Sequence, residues 1–290
     1  MNKLTRNNSL FTELVKQKPT WWLNLVNDEN IYIDIRKDNY IDVYYNGGNI
    51  IRELRFKNGK FNGSINYKYL VPVKSEYINY DFDNQSIGLQ QSQINLLDVN
   101  NFDSASLKLI TNNISTHYPA SSEKGIQARF IKNANCFLDT EMAYNDGNSL
   151  LRIDLVWIDT SNKKIVFVEL KTMGDSRVYT TELRDQLKKY HDFAVKYEQE
   201  IIGYYTKVFE IKKMLGILPK GLKELDSISD YNLELKPLLL FGDCQQAWIN
   251  SNANDVNKRI KDVAVGAYYF GSTDRNCDLI SKSSRNRFIF

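Results

Sequence analysis

The chain has no long hydrophobic run. Nowhere does it approach the roughly 18 uninterrupted apolar residues of a membrane-spanning helix, so no membrane partner is expected. Cysteine is scarce: Cys136, Cys244 and Cys277 lie far apart and form no CxxC pair, which argues against a disulfide framework and against a zinc site. With only two histidines, His117 and His191, a histidine-rich metal site is not expected either. Strong charge of one sign is also missing. The balance of 38 basic and 35 acidic residues, net +3, does not mark a nucleic-acid binder by itself. It leaves room for a local basic groove beside an acidic site. The opening MNKLTRNNSLF has no apolar run of the length a secretory signal needs, so the expected location is cytoplasmic.

What is present is the composition of an ordinary globular chain, 42% hydrophobic and 25% charged over 290 residues, enough for one large domain or two modest ones. An apolar stretch from Leu10 to Val26, with Trp21 and Trp22, reads as one or two short helices. The pattern then changes to period two. IYIDIR (31–36), YIDVYY (40–45), NIIRELRF (49–56) and KFNGSINYKYL (60–70) are β-branched and aromatic runs. Asn46-Gly47 and Asn58-Gly59 separate them with the residues that tight hairpins favour. This predicts an antiparallel meander, with the tryptophan-bearing helix the nearest cover for its apolar face. Residues 71–102, with acids at Asp81 and Asp83, read as a polar insertion or linker, and 102–115 as a helix.

The second half alternates differently. A helix is expected over 121–133, strands over 136–145, 150–159 and 164–172, and turns at Gly147 and Thr160 to Lys163. A helix over 180–200 follows, with a second over 207–217. Then come a buried strand over 235–243, a helix over 254–264 and a strand over 265–272. That order implies a mixed sheet flanked by helices. The expected division is an N-terminal, mostly β domain over 1–112, for recognition or assembly and without a catalytic group, and an α/β domain over 113–290.

Asp154 lies in one expected strand, Glu169 and Lys171 in the next. Side chains alternate along a strand, so Glu169 and Lys171 share a face. A hairpin would bring Asp154 alongside Glu169. Two carboxylates at one sheet edge make a hard-oxygen site suited to Mg²⁺. A divalent ion there acidifies water and stabilises charge on a phosphodiester, and a neighbouring ammonium orients water or offsets phosphate charge. The plain alternative is a set of ion pairs with Arg152 and Lys171.

The order Asp154, then Glu169-Leu-Lys171 at the end of an apolar strand, resembles the PD-(D/E)xK nuclease superfamily with its restriction-endonuclease-like fold. Gln186-Leu-Lys-Lys-Tyr190 in the following helix is similar to the QxxxY element of the branch that includes RecB-type nuclease domains. Glu123 resembles the acidic residue of that family's first core helix. The likeness spans roughly 120–245, and Ile153 stands where the name-giving proline would be. The resemblance implies Asp154, Glu169 and the Leu170 carbonyl as metal ligands, with Glu123 adding one through water. It implies Lys171 as the catalytic lysine, and Gln186 and Tyr190 as residues that hold the lysine or touch the substrate backbone. The cofactor would be Mg²⁺, with Mn²⁺ a substitute. The substrate would be nucleic acid, DNA before RNA, in defence against foreign DNA or in DNA processing. A homodimer would suit double-strand cuts. Two other readings stay open: a non-cleaving nucleic-acid-binding protein, and a ligand-gated RNase or DNase effector. Arg177, Lys188, Lys189, Lys196, Lys282, Arg285 and Arg287 are candidate phosphate contacts. Tyr40, Tyr44, Tyr45, Tyr67 and Tyr69 are candidate base-stacking residues.

Overall fold

The structure, a computed structural model, describes residues 4–70, 77–81, 86–87, 104–134, 136–145, 150–271, 279 and 287–289. Asp83, Gly147, Cys277, Lys282 and Arg285 lie outside the described residues, as do the side chains of Tyr67, Asp81 and Arg287. The chain forms two compact units, one from Asn2–Lys132 with Glu210–Leu218, the other from Asn133–Phe209 with Pro219–Phe290. The division therefore falls some twenty residues beyond the boundary expected near 112.

The N-terminal unit is built on the meander. Strands β1 (Ile31–Arg36), β2 (Tyr40–Tyr45), β3 (Gly48–Lys57), β4 (Lys60–Asn66), β5 (Tyr77–Asp81) and β6 (Ser86–Ile87) pair in sequence order, each antiparallel to the next. Part of the segment expected as linker is thus strand, because β5 pairs along β4 from Asn62↔Asp81 to Asn66↔Tyr77. Both Asn-Gly pairs form two-residue turns, closed by Tyr45↔Gly48 and Lys57↔Lys60. Their φ angles are positive throughout, 49° and 81° at Asn46 and Gly47, 53° and 78° at Asn58 and Gly59, as the twist-matched hairpin turn requires.

Helices α1 (Ser9–Gln17) and α2 (Thr20–Asn27) cover the sheet. The Trp21 ring meets Phe61 of β4 edge-on at 5.7 Å. Two further helices, α3 (Ser104–His117) and α4 (Glu123–Ala134), start beyond the described part of the 71–103 segment. Asn113 of α3 donates to the Tyr69 carbonyl at 2.8 Å. Ile114 sits so close to Gly48 that an added Cβ would lie 2.5 Å from its Cγ2. These contacts hold the helices to the sheet and move the boundary. A buried ion network does the same for Glu210–Leu218. Lys212 donates to Asp34 at 3.0 Å, and Arg36 reaches Asp34 and Asp42 at 3.3 and 3.1 Å.

The two turn glycines give a paired test. At Gly59 an added Cβ meets nothing within 4 Å, whereas at Gly47 it would lie 2.6 Å from Lys124 Cβ. Gly59→Ala is expected to cost only the left-handed backbone penalty, about 1–2 kcal/mol. Gly47→Ala adds displacement of Lys124 and is expected to cost more. Urea denaturation of the two variants checks the order.

The C-terminal unit is a second sheet of six strands in the order β12-β11-β10-β9-β8-β7. β7 (Phe137–Asn145), β8 (Leu150–Asp159) and β9 (Lys164–Thr172) form an antiparallel run. β10 (Asn232–Gly242) and β11 (Gly266–Tyr269) continue it in parallel, and β12 (Arg287–Ile289) closes it antiparallel. The two parallel steps are bridged by helices, α5 (Glu182–Leu215) and α6 (Gln246–Ile260). This is an α/β unit with a mixed sheet and flanking helices. The expected helices over 180–200 and 207–217 are one element, bent at Tyr197 where φ is −123° and ψ 23°. Ile201, Tyr204, Tyr205 and Val208 are buried at helical spacing through the stretch between them. From Glu210 onward the helix belongs to the N-terminal unit.

One face of the sheet is covered by the start of α5 and by α6. Val178, Leu183, Leu187, Leu239, Phe241, Val256, Ile260, Ala267 and Tyr269 form a continuous core there. Leu239 and Phe241 are the register partners of Glu169 and Lys171. The two polar residues of β9 therefore point into the layer beneath α5.

Candidate active site

β9 is buried on both faces from Ile165 to Lys171. Such a strand normally reads as a continuous apolar run, and Glu169 and Lys171 are its two exceptions. The site arises because the sheet forks beside them. β8 and β9 pair only from Asp159↔Lys164 to Leu155↔Val168. Past that point β8 stays with β7, out to Asn145↔Leu150, while β9 stays with β10, out to Gly242↔Thr172. A fork deprives facing backbone groups of partners, and buried backbone groups must be satisfied. Side chains do it. The Leu170 N–H donates to Asp154 Oδ2 at 2.9 Å, and the Arg152 carbonyl accepts from the Tyr190 hydroxyl at 2.5 Å.

Glu169 fills the fork. Its Oε2 lies 2.5 Å from the Tyr190 hydroxyl, and its Oε1 accepts from Lys171 Nζ. A hydroxyl has one proton, so the Arg152 carbonyl and Glu169 compete for that of Tyr190. Lys171 is only 2% exposed, and also faces the Leu170 carbonyl at 3.5 Å and Asp175 at 3.6 Å.

The charges are poorly compensated. Burial first, then the charge of Glu169, pushes the Asp154 carboxyl well above the ordinary range, against the pull of the Leu170 N–H and of Lys171. Burial also raises Glu169, despite Lys171 and Tyr190. Burial and the two carboxylates push the Tyr190 hydroxyl far up. Gln186 hydrogen-bonds Tyr190, yet its Oε1 is buried without a hydrogen-bond partner.

Two acids missing from the sequence reading belong here. Glu141 falls between the pairs Thr140↔Leu155 and Met142↔Ile153, across from Asp154, and its charge adds to the elevation there. It sits at φ 51° inside a strand, a feature no sequence pattern announces. Asp175 follows Lys171 by four residues. It receives the Arg177 guanidinium at 2.5–3.1 Å and the Arg177 N–H at 3.0 Å. Burial alone would raise its carboxyl, but the bonds from Arg177 and the charge of Lys171 bring it below the usual value. The acid-x-Arg spacing in a turn after the lysine was the available signal.

The structure thus gathers Asp154, Glu169, Lys171, Gln186 and Tyr190 in one place. Glu123 is exposed in the first turn of α4, within the N-terminal unit. Among the described residues, no group of three or more His, Cys, Asp or Glu is placed to hold a metal ion. The oxygens at hand are the Asp154 and Glu169 carboxylates and the Leu170 carbonyl. They are hard donors that suit a divalent cation completed by water. Two buried, mutually repelling carboxylates and the orphaned Gln186 Oε1 fit such an occupant. In comparison with known proteins, the chain matches no family model, no curated protein and no solved structure. Among the described residues no helix is long and apolar enough to cross a membrane.

Proposed function

We propose that the C-terminal unit is a metal-dependent nuclease of the PD-(D/E)xK kind, hydrolysing phosphodiester bonds, in DNA before RNA. The observation that carries this reading is the convergence of Asp154, Glu169 and Lys171 in the fork of a mixed sheet, with Tyr190 bonded to Glu169. Asp154, Glu169 and the Leu170 carbonyl would hold Mg²⁺, or Mn²⁺ in its place. When bound, such an ion would supply an acidified water and charge stabilisation at the phosphoryl group. Lys171 would be the cation that orients the attacking water or offsets phosphate charge. Tyr190 and Gln186 fix the Glu169 carboxylate, and Arg177 offers a cation to the substrate backbone. A single site of this kind cuts one strand at a time, so a double-strand break requires a homodimer or two successive events. A role in defence against foreign DNA or in DNA processing accords with such an activity.

One observation favours a second reading. Lys171 is closed onto Glu169, and Asp154 serves the Leu170 N–H, as in a purely structural polar cluster. A non-cleaving nucleic-acid-binding protein would show the same. Incubation with plasmid, single-stranded DNA and RNA, each with Mg²⁺, Mn²⁺ or EDTA, separates these. The expected result is metal-dependent cutting of DNA, abolished by EDTA. Cutting of RNA alone selects an RNase effector, and binding without cutting selects the second reading.

A further inference from the structure

We propose that the turn after β9 is a base-stacking platform, and that the site acts on strands with unpaired bases in preference to duplex. This rests on the nuclease reading above and names its substrate class.

The platform is Tyr179. It is 48% exposed and is the only exposed aromatic residue among the described residues. It is also firmly held. Its hydroxyl donates to the Met173 carbonyl at 3.3 Å and accepts from the Trp248 indole N–H at 2.7 Å. The preceding residue, Val178, is fully buried, and its carbonyl accepts from Arg259 at 2.8 Å. Trp248 is seated on Phe241, the register partner of Lys171, with ring centroids 5.3 Å apart. Both side-chain hydrogen bonds of Tyr179 run through its hydroxyl, so they tether the tip of the ring without occupying its face. A pre-ordered ring loses little freedom on binding.

The neighbours of this ring are those a nucleotide needs. Met173, which receives the Tyr179 hydroxyl, is two residues past Lys171. Asp175, two residues further on, faces Lys171 at 3.6 Å and holds the guanidinium of Arg177, whose side chain is 43% exposed. The turn after the buried Lys171 therefore carries a part-exposed guanidinium and an exposed aromatic ring two residues apart. Cations of this kind meet backbone phosphates, and the ring meets a base face. In a duplex each base face is covered by its neighbours, so a ring can use one only where bases are unpaired. The tyrosines of the meander are not equivalent. Tyr40 is covered by the Arg55 guanidinium at 4.5 Å, Tyr44 is stacked on Tyr32 at 5.1 Å, and Tyr69 is 2% exposed.

The test is fluorescence anisotropy on the full chain, with a labelled oligo-dT strand and a labelled blunt-ended duplex without a loop, in EDTA so that nothing is cut. Wild type is expected to prefer the single strand. Tyr179→Ala should weaken single-strand binding roughly ten-fold to a hundred-fold and leave duplex binding within about two-fold. Tyr179→Phe, which keeps the ring and gives up the hydroxyl that tethers it, should fall between wild type and Tyr179→Ala. The salt slope should be unchanged in both variants, since no charge is lost. Arg177→Gln should lower it by about 0.7 on the single strand. The proposal is overturned if Tyr179→Ala binds oligo-dT like wild type, if it loses strand and duplex alike, or if Tyr179→Phe falls as far as Tyr179→Ala. No part of this assay needs cleavage. A chain that cuts nothing yet shows the expected pattern loses the nuclease reading and keeps this one. A chain that cuts DNA and ignores Tyr179 does the reverse.

Discussion

Lys171→Ala is expected to lower the cleavage rate by about a hundred-fold or more and to destabilise the C-terminal unit as well. The first effect follows from loss of a cation placed beside developing phosphate charge, which typically costs that much. The second follows from burial. Lys171 is bonded to Glu169, and both are almost wholly removed from solvent. Removing one partner of a buried pair strands the other, at about 3–5 kcal/mol. Here Tyr190 still donates to Glu169, and the raised carboxyl can take up a proton, so the loss should fall at or below the lower end. Lys171→Met, which keeps the alkyl chain, should recover part of the stability and none of the rate. Single-turnover cleavage and thermal melting measured on the same preparations separate the two effects. Cleavage at the wild-type rate by either variant would remove Lys171 from the mechanism.

The double consequence was only half visible in the sequence. Strands β8 and β9 were readable to the residue, because alternation and apolar runs mark them and the turn at Thr160 to Lys163 is polar. Shared-face parity then placed Glu169 with Lys171. The burial of Lys171 was not readable, because it depends on β10 lying parallel on the far side and on α5 crossing above. Those are contacts of high sequence separation. The continuity of α5 was hidden by a local conflict. Gly203 and the β-branched residues around it weaken helix propensity by roughly 1 kcal/mol, and burial of Ile201, Tyr205 and Val208 outweighs that. Likewise α6 begins at Gln246, eight residues before the expected start, where Trp248 and Ile249 pack on the core. Glu141 and Asp175 were missed because they reach the site through a strained strand residue and a turn, neither of which has a periodicity to read.

Asp154→Asn is expected to abolish cleavage and to make the protein more stable near neutral pH, a combination that few substitutions produce. Asparagine keeps the shape and an oxygen for the Leu170 N–H, now 2.9 Å from Asp154. It removes a charge that burial and Glu169 disfavour. The sign follows from proton counting. The carboxyl of Asp154 is elevated in the folded state, so between its ordinary value near 4 and the elevated one the folded chain binds more protons than the unfolded. Stability therefore falls as pH rises through that window, and the whole deficit is present above it. The variant has no such deficit. Its advantage at neutral pH should be read as a higher Tm than that of the wild type. It should vanish below about pH 4, where Asp154 is protonated in both states. Mg²⁺ provides the decisive comparison. A cation that binds only the folded chain raises its stability by mass action, so Mg²⁺ should raise the Tm of the wild type and leave that of Asp154→Asn nearly unmoved. An equal Mg²⁺ shift in both proteins would show that the ion binds elsewhere. A variant that melts below the wild type at neutral pH would show that the Asp154 charge is compensated and stabilising, and the case for a cation site in the fork would fail with it.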